Sequence, residues 1–497
     1  VNLAAIIDPH PDDAVALITH GTTITYGELR ERTGAMRAGF AALGLEPGDR
    51  VAIVAANNRW FVEAYLAALG AGLVVSPLNP LSPTRELERE IDTIGARAVV
   101  TGPTAGRAVA GLDRAAVPSV GHVIAARPAD VEGSIAVEEL LAHAPVPIVE
   151  RGPDDLAVLM FTSGTAGAPR AAMLTHGNLR ANLDQVQGVD AIARRSDDVT
   201  LCVLPLFHIF GLNVVLNPAL LVGASAVLVE RFDPTTLVDT VRTRGVTTLT
   251  GPPTMWAVLA QTPDLPADAF SSVRLAVSGA SKLPVDVARQ VKERFGLEVH
   301  EGYGLTETSP VVAYAPGTGA PPGSIGRPLP GVEMRLVDLD GDDVLVGDAG
   351  EIWVRGPNVF TGYWNDPEAT ASVLDADGWL RTGDLAVVDE DGYLHIVDRA
   401  KDLVIVSGFN VYPAEVEEVI VEHPGVADAA VVGVDHPHTG ETVKAFVVPR
   451  PGVELEEDDV IDFVAERLAR YKCPTKVEFV GEIPKGLGGK ILRRQLD

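Results

Sequence analysis

Hydroxyls, glycines and one cation crowd into the nine residues that follow the apolar run Leu156 to Phe161, reading Thr162-Ser163-Gly164-Thr165-Ala166-Gly167-Ala168-Pro169-Arg170. Glycines let backbone N–H groups turn inward, hydroxyls add donors, and Arg170 supplies the charge that a polyphosphate demands. The order is not that of the common P-loop, because G-x-x-x-x-G-K-[ST] does not occur. A plain connection after a strand has a similar composition. Three further clusters share the chemistry of nucleotide handling. In the first, Ser278-Gly279-Ala280-Ser281 joins Glu301-Gly302-Tyr303-Gly304-Leu305-Thr306-Glu307-Thr308, each segment following an apolar run. Their glycines let a flat ring lie against backbone, Tyr303 offers a stacking face, and Glu307 offers hard oxygen to a cation. In the second, Trp379-Leu380-Arg381-Thr382-Gly383-Asp384, a turn-borne carboxylate can accept from sugar hydroxyls. The third is Lys490, an ammonium at the end of the glycine-rich tail Pro484 to Gly489.

The elements needed to position these groups follow from periodicity. A helical pattern near Thr25 to Leu43, a strand at Arg50–Val54, a helix near Arg59 to Ala71 and a strand at Leu73 to Pro77 open an alternation. It continues through strands near 98–101, 122–125, 199–204, 226–229 and 247–249, so strand–helix–strand units and a mainly parallel sheet are expected. After about residue 320 short strands turn at Gly and Asp, as in Glu333 to Val337 and Leu385 to Val397. The expected fold is α/β: a large N-terminal domain over 1–398 of mixed, mainly parallel sheets with flanking helices, including a β-rich subdomain at about 320–398. A charged hinge at 399–402 then leads to a small mobile α+β C-terminal domain over 403–497.

At 497 residues more than one core is expected. A net charge of −28 disfavours nucleic-acid binding and requires a local cation cluster for any anionic ligand. Cys202 and Cys473 show no pairing pattern, which fits a reducing cytoplasm. The first residues lack a basic stretch followed by an apolar one, so no export signal is expected there, and Val1 points to a trimmed initiator. The apolar window Val214 to Val229 is broken by Asn217, Pro218 and Gly223 and reads as a buried helix, turn and strand, so no integral membrane segment is expected.

Taken in order along essentially the whole chain, the cradle, the Tyr303–Thr308 motif, Arg381-Thr382-Gly383-Asp384, the Asp398-Arg399 hinge and the Gly489-Lys490 tail resemble the adenylate-forming superfamily. That superfamily comprises acyl-CoA synthetases, peptide-synthetase adenylation domains and luciferases, and the chain looks most like fatty acyl-CoA synthetases. The resemblance implies that Thr162, Ser163, Gly164, Thr165 and Gly167, with Arg170, contact the β- and γ-phosphates of ATP. It implies that Gly279, Ala280, Ser281, Glu301, Gly302 and Tyr303 frame adenine, that Thr306 meets the α-phosphate, and that Glu307 holds Mg²⁺. By the same resemblance Asp384 would take the ribose hydroxyls with help from Arg399, while Lys490 would bridge carboxylate and α-phosphate. The resemblance likewise implies that His208 gates or lines the acyl site, that Lys401 is the pivot of a domain rotation, and that Gly408 lines a channel for the CoA thiol.

Two positions depart from the family pattern. Arg170-Ala171 stands where Lys-Gly is usual, replacing a point ammonium by a planar fork, and Gly486-Leu487-Gly488-Gly489 stands where hydroxyls usually precede Gly-Lys. Substrate class is also implied by resemblance. Amino acids are disfavoured because His208, not Asp, follows Phe207; malonate because Gly302 replaces a cation; acetate because Gly304 replaces Trp. An open slot lined by Phe207, Val214, Val277, Gly302, Gly304 and Val311 then suits a medium or long fatty acid, or an aryl acid. The expected acceptor is CoA, with an acyl carrier protein as the alternative. A degenerate nucleotide- and acyl-binding protein is the non-enzymatic reading.

Other residues carry plainer readings. His208 beside Phe207 and Phe210 also suits a core histidine, His436 and His438 on a Pro/Gly turn lack further ligands, and Glu415, Glu417 and Glu418 read as a solvated helix face. Cys473 has no recognisable base.

Overall fold

The computed structural model describes all residues except 1, 20, 163–169, 339–340, 400–401, 407–408, 437–439, 487–488 and 497, and leaves out the side chains at 399, 409, 410 and 494. Among the described residues, strands Ile135–Ala136, His122–Ala125, Ala98–Thr101, Arg50–Val54, Val74–Leu78, Leu156–Thr162 and Arg170–Thr175 lie in that order in a seven-stranded sheet. All neighbours are parallel except the last pair. Each parallel step needs a crossover. The helix Arg59–Gly70, capped by Asn58, supplies one between Arg50–Val54 and Val74–Leu78. Its residues from Phe61 to Gly70 are all buried, and Glu63, fully enclosed, is held by both arms of Arg32 at 2.7 and 3.0 Å.

A nine-stranded sheet runs Arg327–Pro328, Val311–Tyr314, Val299–Gly304, Leu275–Ser278, Thr248–Gly251, Val199–Cys202, Ser225–Leu228, Val15–Thr19 and Thr22–Thr25. Alternation along each strand decides which layer a side chain joins. Val51 and Ile53 enter the central core shared by both large sheets, whereas Ala52 and Val54 face the outer helix Thr84–Ile94 through Leu87, Ile91 and Ile94. Leu201, Val227, Leu249 and Ala276 likewise pack outward against the helices Pro234–Arg244, Pro253–Gln261 and Val285–Phe295. Helices thus cover both faces, as expected for parallel strands buried on two sides.

Four antiparallel strands, Glu333–Val337, Ala349–Arg355, Leu380–Val388 and Leu394–Arg399, form the β-rich unit. The C-terminal unit has its own sheet, Phe409–Val411, Val404–Val406, Gly440–Pro449, Val426–His436 and Lys476–Phe479, with the helices Pro413–Val421 and Glu457–Ala465 and a separate core.

The structure departs from expectation at four places. Val15–Thr19 and Thr22–Thr25 are a hairpin on an edge of the nine-stranded sheet; the polar second strand hides the pattern. Arg170–Thr175 is a strand antiparallel to Leu156–Thr162, so Arg170, the cation of the cradle, opens a strand. The segment Arg381–Asp384 is not a turn but lies inside Leu380–Val388, where the register shifts and Gly383 takes φ +70°. Arg399, assigned to the hinge, ends a strand and pairs with Asp384.

Candidate active site

The hairpin places Thr162 opposite Arg170, and the expected contacts at Ser163, Gly164, Thr165 and Gly167 lie outside the described residues, as do Lys401 and Gly408. Arg170 is engaged by protein. Its Nε donates to Asp366 at 3.2 Å, its guanidinium lies 5.7 Å from the centre of the Tyr363 ring, and Asp366 in turn caps the helix Pro367–Val373. Behind the cradle, Thr175 and Asn178 form a reciprocal cap on the helix His176–Gln187. Asn178 also donates to the carbonyls of Pro357 and Val359 at 2.9 and 2.8 Å, joining the hairpin to the segment that carries Tyr363.

The carboxyl ends of Leu275–Ser278 and Val299–Gly304 open into one cleft of about 750 Å³, continuous with solvent. Gly279, Ala280, Glu301, Gly302, Tyr303, Gly304, Thr306, His208, Val214, Val277 and Val311 all line it. Ala280 holds φ +72°, a left-handed conformation costly for alanine and commonest where a loop is held for function. Glu301 accepts from the Leu283 N–H at 3.0 Å, and its burial raises its pKa. Tyr303 donates to Asp384 at 2.8 Å, so the stacking candidate and the ribose candidate meet directly. A Cβ on Gly304 would fall 2.0 Å from the Pro310 carbonyl oxygen, whereas one on Gly302 would meet only the Ala313 oxygen at 3.5 Å. Only the second glycine, then, leaves room for a side chain.

His208 shows an exposed surface to the cleft mouth, which removes the core-histidine reading. Its Nδ1 accepts from the Phe210 N–H at 3.2 Å, which leaves the ring proton on Nε2. Phe207, expected in the acyl slot, is not among the lining residues. Phe210 takes that place: the ring packs so closely on Gly279 that a Cβ there would lie 2.8 Å from its Cζ. The same aromatic type, three residues further on where the helical segment Phe210–Leu216 begins, faces the cleft.

Glu307 sits in the single turn Thr306–Thr308, where Tyr363 donates to its Oε1 at 2.7 Å and Phe360 N–H bonds its carbonyl at 2.8 Å. No group of three or more potential metal ligands occurs among the described residues. A lone, oriented carboxylate fits Mg²⁺, which is commonly held by one or two carboxylates with substrate phosphates completing its shell.

The tail meets the cleft from the other unit. Lys490 is half-buried at the edge of a turn closed by Gly486 N–H on the Lys490 carbonyl at 2.8 Å. Gly489, at φ +83°, lies so close to the large domain that a Cβ would be 2.7 Å from Thr254 Cγ2 and 4.0 Å from Ser281 Oγ. Lys490 therefore follows a residue seated against the Ser278–Ser281 loop. Arg493 anchors this tail through Val431 O at 3.0 Å, Asp402 at 3.4 Å and Glu417 at 2.7 Å. Of the three glutamates expected to face solvent, Glu418 does so while meeting Lys282 of the large domain at 2.5 Å, whereas Glu415 binds Lys472 at 2.6 Å and Glu417 is enclosed with Arg493. For the latter two, basic partners distant in sequence supply the reason.

Sequence reasoning passed over Phe210, Tyr363, Asp366 and the cleft residue Arg194. Phe210 stood within an aromatic cluster already noted, and Gly362-Tyr363-Trp364 is an aromatic pair beside glycine; Asp366 and Arg194 carry no local signal.

A nucleotide-type loop set at the carboxyl ends of parallel strands, an apolar cleft beside it and a lysine tail from a second unit together define an adenylate-forming enzyme. The description of AMP-binding enzymes matches residues 4–364 and that of their C-terminal domain residues 415–490, and the chain belongs to the AMP-binding enzyme family. It is 38% identical to a feruloyl-CoA synthase of Amycolatopsis sp over 494 residues, 99% of this chain and 96% of that protein. It is 37% identical to a long-chain-fatty-acid–CoA ligase of Escherichia coli O157:H7, covering 97% and 91%. ATP-bound MatB from Rhodopseudomonas palustris, 38% identical, superposes with a TM-score of 0.92 over 100% of this chain and 98% of that one. Its apo form, 37% identical over the same shares, gives 0.81. No helix among the described residues is long and apolar enough to cross a membrane.

Proposed function

We propose that the protein is an AMP-forming acid–CoA ligase acting on an acid with an extended apolar body, a medium or long fatty chain or an aryl acid. Hydroxide is a poor leaving group, so a carboxylate must become a mixed anhydride before a thiol can take the acyl group. The acid's oxygen attacks the α-phosphorus of ATP, pyrophosphate leaves, and the thiol of CoA then displaces AMP. The work asked of the protein is positioning and charge stabilisation. Lys490 neutralises charge growing on the α-phosphate, Thr306 donates to it, Tyr303 and Asp384 hold the nucleoside, and Glu307 would hold Mg²⁺, which offsets phosphate charge when bound.

The observation that carries this reading is the seat of Gly489 against Thr254 and Ser281, because it brings the neighbouring Lys490 to the loop that borders the cleft. The long-chain ligase and the feruloyl synthase among the relatives support both acid types; a carrier protein has no comparable support. A cytoplasmic site suits the buried free thiols of Cys202 and Cys473.

The test is acid-dependent exchange of labelled pyrophosphate into ATP, with dodecanoate, ferulate and benzoate, followed by addition of CoA or a holo carrier protein. Exchange and acyl-CoA are expected. Binding of ATP and acid without any exchange would leave a ligand-binding protein, and product with the carrier alone would replace CoA as acceptor.

A further inference from the structure

Arg194 lines the cleft yet exposes only 4% of its surface. A buried cation is expensive unless its donors are met. Two of its donors are: Nη1 bonds the Ile192 carbonyl at 3.1 Å and Nη2 the Val214 carbonyl at 3.2 Å. The Nε atom is buried and has no partner. The backbone beneath is pinned, since the Gln187 amide donates to the Arg194 carbonyl at 2.7 Å and accepts from its N–H at 3.0 Å. Nor can the nearest carboxylate swing over. Asp198 is gripped by both arms of Arg274 and accepts from Thr247 at 2.7 Å, so it offsets the charge of Arg194 without taking its Nε–H.

Position adds a direction. Asp198 and Arg274 precede the amino ends of Val199–Cys202 and Leu275–Ser278, whereas Gly279, Ala280 and the Glu301–Thr306 segment lie at the carboxyl ends. A four-residue strand spans about 13 Å, the reach of an arylpropenoic acid or a medium-length chain. Between lie the apolar side chains of Val186, Ile192, Val214, Val277 and Val311.

Resting on the ligase reading above, we propose that Arg194 reads a neutral hydrogen-bond-accepting oxygen at the far end of the acid. Preferred substrates then end their apolar body in a hydroxyl, ether or ketone oxygen rather than in a methyl group or bare ring edge. A second carboxylate is disfavoured, because these walls would strip its water while Asp198 already offsets the guanidinium.

The test compares kcat/KM from pyrophosphate release for matched pairs, 4-hydroxycinnamate against cinnamate and 10-hydroxydecanoate against decanoate, with decanedioate as the charged arm. A hydrogen bond from a charged donor predicts a wild-type preference of roughly 10–100-fold for the oxygen-bearing members, expressed mainly in KM. In Arg194→Met the ratio should fall close to one. Wild-type ratios near one, a preference for decanedioate, or a preference unchanged in a folded Arg194→Met would overturn the inference while leaving acid activation intact. If Arg194→Met does not fold, the wild-type ratios decide alone. No pyrophosphate release with any acid would instead overturn the ligase reading, and this inference with it.

Discussion

Tyr303 donates its phenolic hydrogen to the Asp384 carboxylate across 2.8 Å, tying the strand Val299–Gly304 at the cleft to the strand Leu380–Val388 of the β-rich unit. Asp384 is 7% exposed, so this bond fixes its rotamer before any nucleotide arrives. Replacing Asp384 by Ala removes the proposed acceptor for ribose hydroxyls and should raise the KM for ATP by roughly 10–100-fold. Tyr303→Phe removes only the orienting bond, worth about 1 kcal/mol, and should raise it about fivefold. Steady-state kinetics with calorimetric AMP binding checks both. An Asp384→Ala enzyme with the wild-type KM would take Asp384 out of the nucleotide site.

The two cleft glycines make unequal demands. At Gly304 any side chain would strike the Pro310 carbonyl, so Gly304→Ala should destabilise the strand as well as impair activity. At Gly302 there is space, and Gly302→Leu should fold normally while shortening the slot. The expected outcome is a shift in acid preference toward shorter members of a fatty-acid series, read as kcat/KM against chain length, with melting temperature near wild type. An unshifted series would mean that the acyl chain does not pass Gly302.

Much of this was legible from residues alone. Parallel units announce themselves because Arg50–Val54, Ala98–Thr101 and His122–Ala125 are short apolar runs between amphipathic or apolar helical stretches, and local chemistry marks Glu301–Thr308 and Lys490. What stayed hidden is set by partners far along the chain. Arg170 looked like a free phosphate ligand; Asp366, 196 residues away, is what engages it. Glu417 looked solvent-facing because Arg493 comes 76 residues later. The bulge at Gly383 needs the register of Ala349–Arg355, which no window around Asp384 contains.

His176 offers a test of buried charge. Fully enclosed, its Nδ1 accepts from the Leu3 N–H at 3.0 Å, and burial pulls its pKa down to about 4 from 6.5. Between pH 6.5 and 4 the unfolded chain binds a proton here that the folded chain refuses, so this group's contribution is whole above pH 6.5 and lost as pH falls toward 4. At most about 3 kcal/mol is at stake. Glu90 and Glu417, both raised to about 7, work in the opposite sense over 4.5–7, so the informative quantity is the difference between wild type and variant. His176→Leu should be less stable at pH 7 by about 1–3 kcal/mol, because the Leu3 N–H loses its acceptor. Its deficit should shrink as pH drops to 5. A deficit constant with pH, in urea unfolding at each pH, would mean that His176 does not titrate on unfolding.

The tail should separate the two half-reactions. Lys490 is brought to the Ser278–Ser281 loop by the seat of Gly489 on Thr254, and Arg493 holds the strand of tail behind it through Val431, Asp402 and Glu417. In the proposed reaction adenylation builds charge on the α-phosphate that this ammonium would neutralise; removing one preorganised donor typically costs about 10²–10³ in rate. Lys490→Ala should therefore lose roughly that factor in acyl-AMP formation, and far less in conversion of supplied acyl-AMP and CoA to thioester, a step in which the thiol attacks the acyl carbon, AMP leaves, and no bond to phosphorus forms or breaks. Arg493→Met keeps the ammonium but unfastens its support and leaves Glu417 buried without its cation. It should lower the adenylation rate less than Lys490→Ala does, while also lowering the melting temperature. Single-turnover measurements with labelled acid, and separately with synthetic adenylate, read each step. Equal depression of both steps by Lys490→Ala would show that the lysine stays engaged throughout, and the two-step division of labour assigned to this tail would have to be abandoned.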